Sequence, residues 1–174
     1  WNTYSFFVTY ANLDEFDPSA DQVKDTQLNK LDKWILARMN QFISRADKYY
    51  GDFEVFKLMK ESENLIEDLS NWYIRRNRRR FWRSENDIDK KAAYSTLYSV
   101  LINYIKVMSP VIPFITEEIY QNLCSFKNTS SEISIHLSDF PHAKISKEEE
   151  DLIEEIDSLI TIVSLGRSAR NKAN

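Results

Sequence analysis

The sequence predicts an all-α protein, a helical bundle of about five or six helices with one short extended segment. Only two glycines and four prolines occur in 174 residues, while strong helix formers such as Leu, Glu, Lys and Arg are plentiful. A hydrophobic content of 43% lets a single domain of this length bury a substantial core. Most apolar residues also recur at intervals of three or four, the spacing of one helix face.

The N-terminal part predicts a helix followed by an acidic linker. Trp1, Tyr4 and Phe7 have the spacing of one helical face over 1–12, although the same stretch is rich in strand formers, so a strand is the alternative. Residues 13–25 carry several carboxylates and are interrupted by Pro18, which disfavours a helix there.

Two long helices should follow the linker. Asp25 or Thr26 is the expected N-cap of the first, which ends at the stop signal Gly51. Asp52 is the expected N-cap of the second, over 53–82. The second helix has a wide apolar arc, formed by Val55, Leu58, Met59, Leu65, Ile66, Leu69, Trp72 and Tyr73.

Two further helices are predicted in the middle of the chain. Asp87 or Asp89 can cap a helix that runs to about Met108, and Pro110 disfavours its continuation. Pro113 suits the first turn of the next helix.

The C-terminal part predicts one extended segment and one long helix. Apolar and polar residues alternate over 133–137, which indicates a short strand or an extended segment. Ser146 and Glu149 have the spacing of a capping box, and a helix should run from there to about Arg170. We therefore expect three parts: an N-terminal segment and acidic linker at 1–24, a helical bundle at 25–145, and a C-terminal helix at 146–174.

An arginine cluster at the end of the second long helix is the first candidate site. Six arginines fall within nine residues with no acid among them: Arg75, Arg76, Arg78, Arg79, Arg80 and Arg83. On an unbroken α-helix, Arg76, Arg80 and Arg83 share the face of the apolar stripe. Because unpaired buried charge is very costly, we expect this end of the helix to leave the bundle and meet an anionic partner. The alternative is neutralisation by carboxylates of the chain itself.

The residue types in and around the cluster suit nucleic acid. Arginine presents a planar fork of donors that matches phosphate oxygens two at a time. Tyr73, Phe81 and Trp82 interleave with the arginines and could stack on bases or ribose, whereas Trp72 is expected in the core. A second group of candidates lies at the C-terminal end, although ordinary complementarity to the helix dipole also explains it. These residues are Arg167, Arg170 and Lys172.

Catalytic and metal sites are not indicated by the sequence. No glycine-rich phosphate loop and no nucleophile beside a base can be identified, so no catalytic residue is assigned. His136 and His142 lie outside any ligand-like cluster, and no metal ligand is assigned. Cys124 is the only cysteine, which excludes a disulfide within the chain and suits a reducing compartment. No apolar run reaches the ~20 residues that span a membrane.

Several motifs, in order, resemble one family. They are WNTYSFFVTYANLD from Trp1, LDKWILARMN from Leu31, NWYIRRNRRRFW from Asn71, SPVIPFITEEIYQNL from Ser109, HLSDFP from His136 and LGRSARNKAN from Leu165. Together they resemble the isoleucyl member of the class I aminoacyl-tRNA synthetases, in its eukaryotic cytoplasmic variety. The resemblance covers nearly the whole chain. The arginine-rich motif and the terminal RNKAN are the parts that look specifically isoleucyl.

The resemblance implies an anticodon-binding helical domain cut from a longer enzyme. Such an enzyme uses ATP and Mg²⁺ to activate isoleucine and transfers it to tRNA(Ile). The catalytic signatures HIGH and KMSKS are absent here, so the chain alone should be inactive and should need no cofactor. Implied partners are tRNA(Ile), the catalytic and editing domains of the same polypeptide, and other synthetases in a complex, all in the cytoplasm. A different class of function, protein docking without RNA contact, is the alternative.

Overall fold

The fold was taken from a computed structural model that describes residues 1–21, 23–82, 87–124 and 133–173. Within these residues the chain forms six continuous helical rods and no strand, which confirms the predicted all-α bundle. The α-helices are α1 (Asn2–Leu13), α2 (Lys30–Gly51), α3 (Val55–Glu67), α4 (Arg75–Trp82), α5 (Ile88–Met108), α6 (Pro113–Cys124) and α7 (Lys147–Ala173). Helices α3 and α4 belong to one rod, because a π-helical segment, Asp68–Ile74, joins them without a break.

The core lies around α2 and α5, the two helices with the most buried side chains. Trp34 and Ile35 of α2 and Leu97 and Met108 of α5 are fully buried. Helices α3 and α7 pack on α2, and α6 packs on α5. The N-terminal stretch is the helix that its spacing predicted, and it packs on α5, where Phe7 meets the Tyr94 ring edge-on.

Three of the sequence-predicted helix starts are confirmed by their hydrogen bonds or bounds. The Asp87 side chain caps α5 by accepting from the backbone N–H of Lys90 at 2.8 Å. Pro113 is the first residue of α6. The Ser146 backbone N–H donates to Glu149 at 2.7 Å and the Glu149 N–H donates to the Ser146 hydroxyl at 3.2 Å, which completes the capping box of α7.

The predicted cap of α2 was wrong. Asp25–Gln27 forms a single 3₁₀ turn, so neither Asp25 nor Thr26 caps α2. The cap is Asn29, whose side chain accepts from the backbone N–H of Asp32 at 2.9 Å. Asp32 returns the bond by accepting from the Asn29 N–H at 3.0 Å. The linker is therefore longer than the sequence indicated.

The predicted cap of the second long helix was wrong as well. Asp52 closes α2, and Glu54 is the residue that precedes α3, with no side-chain capping bond. The chain reverses between the two helices at Phe53, which has a φ of 57°. Gly51 is thus the last residue of α2. The left-handed conformation that glycine often adopts after a helix occurs at Phe53 instead.

The predicted extended segment takes an irregular form. Ser134 and Ser138 have extended backbone angles, but Ile135–Leu137 between them is a 3₁₀ turn. The alternation of apolar and polar residues here reflects the anchoring of Ile135 in the core, where it is 2% exposed. No strand forms in the described residues around it.

Candidate nucleic-acid interface

Helix α4 presents four of its arginines to solvent. Arg75, Arg76, Arg78 and Arg79 are all exposed. Within the described part of the chain, no carboxylate forms an ion pair with any of them. This helix surface is therefore strongly cationic, although the whole chain carries a formal net charge of −4. Arg83, the sixth arginine of the cluster, lies outside the described residues.

Arg80 differs from the expectation, because its side chain lies in the interior. Its Nη1 donates to Asp32 Oδ1 at 2.7 Å and its Nη2 to Asp32 Oδ2 at 2.9 Å, a bidentate pair between side chains that are 8% and 0% exposed. Nη2 also donates to the backbone oxygen of Asp89 at 2.8 Å. A buried arginine held by a carboxylate of its own chain cannot contact RNA. For Arg80, therefore, the alternative expectation holds, because a carboxylate of the chain itself neutralises it.

Charge and burial act in opposite directions on the pKa of Arg80. Burial acts to lower the pKa of Arg80, but the hydrogen bonds and the negative charge of Asp32 outweigh it and raise that pKa above its usual value. The same carboxylate accepts from the Tyr73 hydroxyl at 2.7 Å. Burial, followed by the charge of Asp32, raises the pKa of Tyr73. Arg80 therefore stays protonated and Tyr73 stays neutral near neutral pH.

Two aromatic residues expected at the interface also lie in the core. Tyr73 is 0% exposed and Phe81 is 1% exposed, so neither ring can stack on a base. Phe81 packs edge-on against Phe6 at 5.2 Å and Tyr94 at 5.1 Å between ring centroids. Trp82 is 54% exposed, and the Arg78 guanidinium lies 5.8 Å from its ring centroid. Only Trp82 of these three remains a candidate for stacking.

The π-helical segment explains which arginines face outward. In a π-helix the hydrogen bonds run from i to i+5, so each turn contains more residues than an α-helical turn. The buried face consequently moves one residue along the chain, from the expected Trp72 and Arg76 to Tyr73 and Asn77. Arg76 is thereby freed for solvent.

Helix α7 brings a second cation to the same surface. The Arg76 guanidinium lies 4.6 Å from the centroid of the Trp72 ring, and the Arg167 guanidinium lies 5.9 Å from it. Trp72 is half-buried rather than fully in the core. Around it is a solvent-open recess of about 480 Å³. The recess is lined by Glu67, Asn71, Trp72, Arg75, Arg76 and Arg167.

The acidic half of α7 keeps its basic end beside α4. Glu149 accepts from the Asn40 side chain at 2.7 Å, and Glu155 pairs with Lys30 at 2.6 Å, so the acidic half is bound to α2. Beyond it α7 becomes exposed, and Arg170 and Lys172 lie on this exposed end past Arg167. The structure thus brings Arg167 to the arginines of α4 and leaves the other two further along α7.

Asp32, Glu67 and Asn71, which support or line this surface, could not be recognised from the sequence pattern. Asp32 looked like an ordinary helix residue, because its partner Arg80 is 48 residues away. Glu67 and Asn71 gave no signal, since they join the recess only through the packing of α7. Trp72 did carry a signal, because an arginine four residues later lies on the same side of a helix.

The described residues offer phosphate-binding groups but no metal cluster. They include no group of three or more His, Cys, Asp or Glu side chains placed to hold a metal ion. In the same residues no helix has the length and hydrophobicity needed to cross a membrane. The chemistry of this surface suits an anionic, partly aromatic ligand, which the already oriented guanidinium groups would bind.

The sequence of this helical bundle matches a known family of protein domains. The profile of the family described as "Anticodon-binding domain of tRNA ligase" matches residues 32–174. The chain belongs to this family, the anticodon-binding domains of tRNA ligases.

Three curated relatives of the chain are all isoleucine–tRNA ligases. The chain is 44% identical over 173 residues to the isoleucine–tRNA ligase of Dehalococcoides mccartyi, covering 99% of the chain and 17% of the relative. It is 44% identical over 174 residues to that of Clostridium acetobutylicum, again with 17% of the relative covered. It is 39% identical over 171 residues to isoleucine–tRNA ligase 2 of Bacillus cereus, covering 98% of the chain and 16% of the relative.

These comparisons concern the expected eukaryotic variety and the share of each relative that the chain covers. The three relatives are bacterial, so they give no support to the expected eukaryotic cytoplasmic variety. The chain spans about 17% of the length of the curated relatives that it matches.

Proposed function

We propose that this chain is the anticodon-binding domain of an isoleucine–tRNA ligase and that it binds tRNA(Ile) through the cationic surface of α4 and α7. The ligase assignment is supported by the relatives, which are named isoleucine–tRNA ligase and match the chain over nearly its full length. On this proposal the chain holds tRNA so that its acceptor end reaches an active site elsewhere in the polypeptide. The three-part division at 1–24, 25–145 and 146–174 stays a prediction.

The observation that carries the RNA-binding proposal is the meeting of three arginines from two helices. Arg75 and Arg76 of α4 and Arg167 of α7 line one recess around Trp72. Arginines that are solvent-exposed and form no ion pair within the described residues suit phosphate oxygens, and such contacts position the RNA without reading its sequence. Arg78, Arg79 and Trp82 extend this surface along α4, and Arg170 and Lys172 extend it along α7.

Aminoacylation itself would take place outside this chain. The described residues contain no group of carboxylates, histidines or cysteines placed to hold Mg²⁺. On this proposal ATP and Mg²⁺ act in the catalytic part of the polypeptide, and no step of the reaction is assigned to residues of this domain. A cytoplasmic location is part of the same proposal.

The alternative function is protein docking without RNA contact. One apolar surface of the chain suits a protein segment that would dock there. An apolar groove of about 240 Å³ lies between α1, α3 and α6, with Trp1, Ile66 and Ile115 exposed at its edges. This groove is separate from the arginine surface. Another part of the same polypeptide could therefore occupy it while the arginines bind RNA, whereas no observation favours other synthetases as its occupant.

The two functions are separated by a triple variant of the full-length ligase. Replacing Arg75, Arg76 and Arg79 with glutamine should weaken tRNA(Ile) binding at least tenfold. It should also reduce the slope of log K against log salt by about 2.1–2.7, because each of the three lost phosphate contacts removes roughly 0.7–0.9. Adenylate formation from ATP and isoleucine should be unchanged. If adenylate formation falls while tRNA affinity and its salt slope hold, the arginines dock onto the protein and the RNA-binding proposal is wrong.

A further inference from the structure

The recess around Trp72 has a mixed lining that a simple phosphate site would not need. Three of its lining side chains are guanidinium groups, but Glu67 contributes a carboxylate and Asn71 an amide. Glu67 and Asn71 are both exposed, one turn apart on the same rod. A carboxylate in a site that binds only phosphate would weaken binding by repulsion. The lining therefore suits a ligand with an anionic end and a hydrogen-bond-donating end.

A nucleotide has these two ends. Its phosphate accepts from guanidinium groups, often two bonds at a time. Its base carries N–H groups on the Watson–Crick edge, and those edges are exposed where RNA is single-stranded. A carboxylate accepts hydrogen bonds from such N–H groups, and an asparagine amide both donates and accepts. The volume of about 480 Å³ is within the range of small-ligand sites.

We propose that the Trp72 recess holds one unpaired nucleotide of the RNA, with its phosphate on Arg76 and Arg167 and an N–H of its base donating to Glu67. Asn71 lies beside Glu67 and takes a second bond to the base edge. The inference rests on the proposed tRNA-binding function and adds a single-nucleotide site to it. Glu67 and Asn71 become specificity residues, whereas the exposed arginines elsewhere on α4 bind the backbone alone.

The guanidinium groups of this site are oriented before RNA arrives. Trp72 packs against the core, and Arg76 at 4.6 Å and Arg167 at 5.9 Å lie close to its ring centroid. A cation held near an aromatic ring loses less side-chain freedom on binding a phosphate. Because the two arginines come from α4 and α7, the site depends on the placement of Arg167 beside Trp72.

The test is a double-mutant cycle in the full-length ligase between Glu67 and each unpaired nucleotide of tRNA(Ile). Transcripts are prepared that each lack the base at one unpaired position, and their affinities are measured for the wild type and for Glu67→Gln. The control variant is Glu63→Gln, one turn earlier on α3, where the exposed carboxylate pairs with Lys60 at 3.1 Å outside the recess.

At one position, loss of the base should weaken binding to the wild type by about tenfold, the effect of one charge-assisted hydrogen bond. Glu67→Gln should weaken binding of the intact transcript by a similar factor, and the two changes together should weaken it no further. Glu63→Gln should show no such coupling at any position.

The inference is overturned if Glu67→Gln tightens binding of every transcript equally, since Glu67 would then only repel phosphate. It is also overturned if the effects of Glu67→Gln and of every missing base multiply independently. Both outcomes leave the proposed function standing, because tRNA is still bound. If the wild-type ligase binds tRNA(Ile) and the Arg75, Arg76 and Arg79 triple variant binds it equally well, the proposed function itself fails.

Discussion

The Arg80 guanidinium and the Asp32 carboxylate form a bidentate ion pair that joins α4 to the first turn of α2. The two bonds measure 2.7 and 2.9 Å, and Asp32 also accepts from the backbone of Asn29 at the helix cap. This pair fixes the rotation of α4 about its axis. Arg76 and Arg79 consequently stay on the solvent side, where the proposed RNA contacts are made.

Removal of Arg80 should therefore cost stability, unlike removal of its neighbour. Arg80→Met leaves the Asp32 carboxylate buried without its cation, and breaking one side of a buried ion pair costs about 3–5 kcal/mol. Arg79→Met is the matched control on the exposed face and should change the free energy of unfolding by less than about 0.5 kcal/mol. Urea unfolding of both variants measures this. Equal losses would show that the pair does not hold α4 in place.

Arg167 should contribute one phosphate contact from α7. Arg167→Gln in the full-length ligase should weaken tRNA(Ile) binding several-fold and reduce the salt slope by about 0.7–0.9. The control is Arg45→Gln, because Arg45 is also partly exposed but pairs with Glu61 at 2.8 Å on the α2–α3 surface. An unchanged salt slope for Arg167→Gln, or an equal reduction for Arg45→Gln, would remove α7 from the RNA surface.

Trp72 carries no charge and should contribute to tRNA binding by orienting the neighbouring guanidinium groups. Trp72→Leu keeps an apolar side chain against the core but removes the ring beside Arg76 and Arg167. Each exposed cation–π contact is worth about 0.5–1 kcal/mol, so tRNA affinity should fall about two- to fivefold per contact. The salt slope should not change, since both charges remain. Phe56→Leu, an exposed ring about 25 Å away along the rod, is the control.

The burial of Tyr50 predicts a loss of stability at high pH. Its hydroxyl donates to the backbone oxygen of Val107 at 2.8 Å, and burial raises the pKa of Tyr50 from its ordinary 10.0 to about 12. The folded state then holds this proton more tightly than the unfolded chain. The stabilisation is complete below about pH 10 and is lost as the pH rises to 12. The free energy of unfolding of Tyr50→Phe should therefore fall less steeply with pH between pH 10 and 12 than that of the wild type. The difference between the two slopes should correspond to at most one bound proton. Identical slopes would contradict the shift.

Helix positions could be predicted where a local signal is sufficient. Asp87, Pro113 and the pair Ser146 and Glu149 mark helix starts because capping involves residues at most three positions apart. The start of α2 could not be placed in this way, since Asp25, Thr26 and Asn29 are all good capping residues. Which of them caps the helix depends on a 3₁₀ turn that the pattern does not show.

The arginine surface was only partly predictable for two physical reasons. The apolar spacing predicts an unbroken α-helix, whereas the π-helical segment moves the buried face by one residue and exposes Arg76. Arg80 then needed a buried partner, and Asp32 is distant in sequence, so no local pattern could pair them. The contact of Arg167 with Trp72 likewise depends on how α7 packs across α2.

The central claim is that the exposed arginines of α4 and α7 form one RNA surface. Crosslinking of tRNA(Ile) to the full-length ligase, with the attachment sites mapped by mass spectrometry, tests it most directly. The account predicts that crosslinks within this domain concentrate on peptides containing Arg75–Arg79 and on the end of α7 around Arg167–Lys172. Crosslinks that instead fall around Phe53 and Phe56, at the opposite end of the rod, with none on either arginine-containing peptide, would contradict it.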